Sequence, residues 1–176
     1  MKVKTPRAIG LAMMLMAALM VPAAGLSQGK KGDAIPKAAL EQGQKEAPAV
    51  VQAMGLPCQV SEARKIGEDK KTKTDYYEVA CGAGQMGYVL QSPAEGPKTA
   101  FSCIEANTPP APGQAPSAPC ILPGNANPNA LLGPMIKAAG AECVPEQARG
   151  VGQTKSNTYV EVACQGGGGY IVVASV

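Results

Sequence analysis

Two stretches of this chain repeat one another in order, and each is bracketed by cysteines. The first reads AMGLPCQVSEARKIG and then TDYYEVACGAGQMGYVLQS. The second reads AAGAECVPEQARGVG and then NTYVEVACQGGGGYIVVAS. Gly55 and Cys58 match Gly140 and Cys143, Ala63-Arg64 match Ala148-Arg149, and Ile66-Gly67 match Val151-Gly152. Tyr76 to Cys81 match Tyr159 to Cys164, and Gly87-Tyr88 match Gly169-Tyr170. Ordered matches of this kind mark one supersecondary unit used twice.

Each unit reads as one helix followed by three strands, an α+β class in which a helix packs on a small antiparallel sheet. In the first, Ala49 to Met54 is apolar and suits a helix, with Gly55 at the left-handed cap and Pro57 blocking continuation. Lys37 to Glu46 suits a separate short helix. In the second, Leu131, Leu132, Met135, Ile136 and Ala139 share a helical face, Asn127-Pro128 offers a cap and first-turn proline, and Pro134 predicts a kink or second start. Tyr77, Val79 and Cys81 alternate with Tyr76, Glu78 and Ala80, as Val160, Val162 and Cys164 do with Tyr159, Glu161 and Ala163. That is the pattern of a half-buried strand. TAFSCIEA, after the third strand of the first unit, suits an added edge strand.

The repeat assigns the cysteines. Each unit has one at the start of its first strand and one at the end of its second, and an antiparallel hairpin brings those ends side by side. Cys58 is therefore expected to pair with Cys81 and Cys143 with Cys164, which leaves Cys103 for Cys120. Closing loops of about 20 residues stabilises by roughly 3 kcal/mol each in the chain-entropy model. Such links matter in a chain with no Trp and one Phe, which has few large side chains to bury.

The cysteines agree with the N-terminus. Lys2, Lys4 and Arg7 precede the apolar run Ala8 to Val21, and small residues follow in PAAGLS. This is the pattern of a secretory signal peptide, here residues 1–25, with cleavage expected near Gly25 to Ser27. Residues 26–106 then hold the first unit, 107–126 a proline-rich linker, and 127–176 the second unit. No membrane span is expected after cleavage, and six cysteines suit the oxidising periplasm or cell exterior. The chain's net charge of +3 comes from Lys2, Lys4 and Arg7, so cations and acids balance beyond them. A basic footprint for nucleic acid is missing.

Several chemistries are excluded. There is no histidine, hence no Ser-His or Cys-His nucleophile and no His-containing metal site. No CxxC, P-loop, GxGxxG or GxSxG stands in a suitable context. Gly166 to Gly169 precedes a strand and reads as a turn. No cofactor and no catalytic residue are assigned. Arg64, Glu78, Arg149 and Glu161 recur at matched positions. They read as structural pairs or charged strand edges, or as a shared ligand contact. Simple alternation puts each Arg on the cysteine face and each Glu on the other, so a direct pair requires a bulge or twist.

Selective function is expected where the units differ. The first has a longer charged tip, Gly67 to Asp75, against Gly152 to Asn157 in the second. It also has Tyr77 where the second has Val160, and the proline-rich loop between Cys103 and Cys120 follows it. Candidate partner contacts are accordingly Asp69, Lys70, Lys71, Lys73 and Tyr77. The exposed sheet face is the alternative surface if these are not used.

The helix-then-strands order, with YYEVAC and MGYVLQS closing the first unit, resembles the PepSY-like fold. Tandem pairs of such units are similar to beta-lactamase-inhibitor-like proteins. Glu95-Gly96 is the nearest counterpart of that family's acidic residue and glycine after the last strand, and the second unit ends before that point. The resemblance implies binding, often to peptidases or envelope proteins, rather than catalysis. The expected function is an exported, non-enzymatic protein- or peptide-binding module, with inhibition of the bound partner as one form this could take. The alternative is a structural cell-envelope spacer that contacts a polymer or an envelope protein.

Overall fold

The computed structural model describes residues 34–110, 112–113, 117–154 and 157–175. The expected signal peptide lies outside the described residues. From Ala34 onward the chain forms one compact unit holding two antiparallel sheets.

The first helix, α1, runs from Lys37 to Met54. The two short helices expected here are one, because Pro48 is accommodated inside it. The ring costs the bond to the carbonyl of Gln44, an exposed residue. Gly55 takes the left-handed conformation at φ 67°, and the N–H of Leu56 reaches back to the Val51 carbonyl. This closes the helix with a Schellman turn. Ala47, Val50 and Val51 face inward.

Strands β1 (Val60–Asp69), β2 (Thr74–Cys81), β3 (Tyr88–Pro93) and β4 (Thr99–Ser102) make the first sheet in simple meander order. The first unit is thus four-stranded, with TAFS supplying the edge. The inner face carries Ala63, Tyr77, Val79, Tyr88, Leu90 and Ala100 against α1.

A short helix, α2 (Cys103–Asn107), follows at once, and its capping box is complete. Ser102 Oγ accepts the Glu105 N–H, and Glu105 accepts the Ser102 N–H. The helix wedges between the units. Its Cys103 and Ala106 pack with Val89 and Ile66 on the far face of the first sheet. Its Ile104 packs into the second core. Polar bonds reinforce the wedge: Thr158 Oγ1 donates to Glu105, and the Gly150 N–H donates to Thr108 Oγ1.

The proline-rich stretch ends in a 3-10 turn at Pro123–Asn125, and the second unit begins with another at Pro128–Leu131, which leads into α3 (Leu132–Ala138). Asn127 makes no side-chain cap bond. Pro134 sits in the first turn of α3, where a missing N–H costs nothing, so it marks the second start rather than a kink. Strands β5 (Pro145–Gln153), β6 (Asn157–Cys164) and β7 (Gly169–Ser175) form the second sheet. Leu132 and Ile136 pack on its inner face against Val160, Val162 and Val172.

The sulfurs pair as Cys58–Cys81, Cys143–Cys164 and Cys103–Cys120, the set implied by the repeat. No helix among the described residues is long and apolar enough to cross a membrane.

Candidate functional site

The two units share more than sequence. In β1, Ser61 is an extra residue between the pairs Val60–Cys81 and Glu62–Ala80; in β5, Glu146 holds the same place between Pro145–Cys164 and Gln147–Ala163. A second bulge follows in each, at Ile66 and at Val151. Each bulge reverses which face the following side chains take. The first of them brings Arg64 opposite Glu78 and Arg149 opposite Glu161, all on the face away from the main helix. Direct Nε–Oε2 pairs at 2.5 Å result in both units.

The surroundings of the two pairs differ completely. In the first unit, the end of the proline-rich stretch lies across the pair. Glu78 Oε1 accepts the backbone N–H groups of Ile121 and Leu122 and the side-chain amide of Asn125. The Arg64 Nη2 donates to the Pro119 carbonyl, and the Gly124 N–H donates to Glu62. Asn125 also donates to the Val79 carbonyl, over Gly87. The Glu78 side chain is 0 % exposed and Arg64 12 %. Among the described residues, no buried side-chain nitrogen or oxygen lacks a partner.

In the second unit no described residue lies over the pair. Arg149 is 66 % and Glu161 46 % exposed. Around them runs a groove of about 570 Å³ lined by Gln147, Ala163, Gly168, Gly169 and Ile171. Val151 and Ile171, the counterparts of the packed Ile66 and Val89, are 47 % and 56 % exposed, and Val173 beside them is exposed as well.

The residues singled out from sequence are not brought together. Asp69 makes the tip turn: its carboxylate accepts the N–H groups of Lys71 and Thr72, which hold it below its ordinary pKa. Lys70, Lys71 and Lys73 are exposed on that tip. Tyr77 is elsewhere. It is 3 % exposed, buried against α1, so its ring is a core element and not a surface for a partner. Its hydroxyl donates to Glu46 at 2.8 Å, and Lys65 bridges Glu46 and Asp75. Burial, and then the Glu46 bond, push the Tyr77 hydroxyl well above its ordinary value. The bond from Tyr77 holds Glu46 low, and the Asp75 partner holds Lys65 high. Burial alone raises Tyr88.

Sequence reasoning passed over Leu122, Asn125 and Glu62. Two signals were available: Ser102-Cys-Ile-Glu105 is a capping-box pattern, and Ile121-Leu122 is an apolar pair inside a proline-rich stretch.

Glu78, Cys103 and Cys120 lie close enough to suggest a metal site. The two sulfurs are bonded to one another, so neither is a thiolate able to ligate. A separate cavity, about 490 Å³, sits between the units and is lined by Met86, Tyr88, Leu132, Met135, Val160 and Val172, with no charged group in its wall. None of these places combines a nucleophile with a base. Comparison of the chain with protein-family models, with curated proteins and with solved structures returned no match.

Proposed function

We propose that this protein is an exported, non-enzymatic module that binds a protein or peptide partner. One observation carries the reading. Among the described residues nothing covers the outer face of the second sheet, where Val151, Ile171 and Val173 are exposed around an Arg–Glu pair, while the same face of the first sheet is covered. Contiguous exposed apolar residues on a cross-linked scaffold suit recognition, because little ordering entropy is lost on binding. The likeness to PepSY-type helix-on-sheet units points the same way. Three disulfides are consistent with an oxidising compartment.

The test is capture of partners from periplasmic extract and from isolated envelope. Three baits are compared: the native protein, Ile171→Asp, and an exchange of the Gly67–Asp75 tip for Gly152–Asn157. A stoichiometric soluble partner lost with Ile171→Asp supports the sheet face. Loss with the tip exchange moves the contact to Asp69, Lys70, Lys71 and Lys73. Retention on envelope alone, indifferent to all three baits, favours a structural spacer. Export is tested separately by mass spectrometry: mature protein is expected to begin between Leu26 and Gly29, and retention of Met1 contradicts it.

A further inference from the structure

The first unit shows what fits over such an Arg–Glu tray, and the second unit presents the same tray with no described residue across it. Each element that receives the Pro119–Asn125 segment has a counterpart. Arg64 and Glu78 correspond to Arg149 and Glu161, Ala80 to Ala163, Gly87 to Gly169, and Val89 to Ile171. Glu62, which accepts the Gly124 N–H, corresponds to Gln147, whose amide oxygen is also an acceptor. Gly87 is glycine because a Cβ there would strike Asn125 and the Val79 carbonyl; at Gly169 it would strike the Val162 carbonyl. Both trays are therefore flat at the same corner.

We propose that the outer face of β5–β7 binds an extended, uncharged peptide segment of a partner protein, of the type Ile-Leu-Pro-Gly-Asn, in the way the first sheet holds Pro119–Asn125. This rests on the reading of the protein as a binding module. Charge selects the class of ligand. Arg149 already occupies Oε2 of Glu161, so the pair is neutral as a unit and holds no net attraction for an anion or a cation. What stays open is Oε1, the oxygen that in Glu78 takes two successive backbone N–H groups, and the far side of the guanidinium, which in Arg64 takes a carbonyl. A backbone supplies both at once. Apolar side chains flanking that backbone would cover Val151 and Ile171, as Cys103, Ala106 and Cys120 cover Ile66 and Val89.

The occupant comes from outside the chain. Its own such segment is anchored on the first sheet by Cys103–Cys120 and four hydrogen bonds to Glu78 and Arg64. A second copy has its segment anchored in the same way.

The experiment uses the oxidised full chain and a labelled, end-blocked peptide spanning residues 117–127 with Cys120→Ser. Binding is read by fluorescence anisotropy, and oligomeric state by light scattering. Saturable one-to-one binding is expected, weakened about tenfold or more by Arg149→Ala or Glu161→Gln, the loss that a hydrogen bond to a charged group carries. Because both residues are exposed, these variants keep the native disulfide map, which is checked by non-reducing peptide mapping. Ile171→Asp is expected to weaken binding as well. No saturation up to about 1 mM, or equal affinity in all variants, overturns the proposal. So does a dimer that dissolves with Ile171→Asp, since a second copy would then be the occupant. If extract partners are lost with Ile171→Asp while the peptide does not bind, the assigned peptide chemistry fails and the binding-module reading stands.

Discussion

Arg64 holds one oxygen of Glu78 at 2.5 Å while the other takes three N–H groups, all from residues 43 to 47 positions further along the chain. A carboxylate with no exposed surface is tolerable only when its charge is paired and its lone pairs are filled, and both conditions are met. The homologous pair, Arg149 and Glu161, has the same geometry in water.

That contrast predicts unequal costs for one substitution. Glu78→Gln sets an amide NH2 against the guanidinium or withdraws the acceptor from Ile121 and Leu122. Breaking a buried pair costs about 3–5 kcal/mol. Glu161→Gln, at an exposed pair, is expected to cost about 1 kcal/mol or less. Urea unfolding midpoints of the two variants decide it; equal shifts would mean that the covering segment contributes nothing.

Gly87→Ala is expected to destabilise by about 1–3 kcal/mol, because the new methyl meets Asn125 and the backbone of Val79. Gly67→Ala is the control, since nothing lies within 4 Å of a Cβ there. Thermal melts should separate the pair. A melt for Gly87→Ala that matches the native protein contradicts the seating of Asn125.

Removing the middle disulfide should free the cover without dissolving the hairpins. Cys103→Ala with Cys120→Ala opens a loop of 17 residues' separation, worth about 3 kcal/mol in the chain-entropy model. Limited proteolysis is expected to cut between Asn107 and Ile121, with Cys58–Cys81 and Cys143–Cys164 still intact by non-reducing mapping. Resistance equal to the native protein would show that the hydrogen bonds to Glu78, Arg64 and Glu62 secure the segment without the disulfide.

The cluster joining α1 to the first sheet gives the stability a pH dependence. Tyr77 donates to Glu46 and holds its pKa below the ordinary 4.5. This contribution is present above 4.5 and is lost as pH falls through the lowered folded value. Lys65, raised above 10.5 mainly by its bond to Asp75, contributes below 10.5 and loses that contribution as pH rises through its folded value. Tyr77→Phe removes the donor to Glu46. The fall in urea midpoint between about pH 7 and pH 3 should then be shallower than in the native protein. An unchanged acid limb would show that the bond does not act through Glu46.

The repeat, the three cysteine pairs and the hairpins were legible in the sequence because they depend on local quantities. Strand alternation, turn residues and the spacing of Cys58 to Cys81 and Cys143 to Cys164 operate within some 20 residues, where pattern and partner lie close together. Gly55 stopping α1 and TAFS becoming an edge strand belong to the same class. Which face each side chain would take was not legible. A single extra residue, Ser61 or Glu146, turns Arg64 or Arg149 over, and no composition rule announces it. Alternation did put Tyr77 on one face with Val79 and Cys81, the face that packs under α1, and this burial is what removes it from the candidate contacts. The difference between the trays was decided by tertiary structure alone. Glu78 and Glu161 occupy the same place in the same motif, and only the return of Pro119–Asn125 across the first sheet makes one a buried anchor and leaves the other in water. That return is a long-range packing event, set by Cys103–Cys120 and by hydrogen bonds between residues more than 40 positions apart.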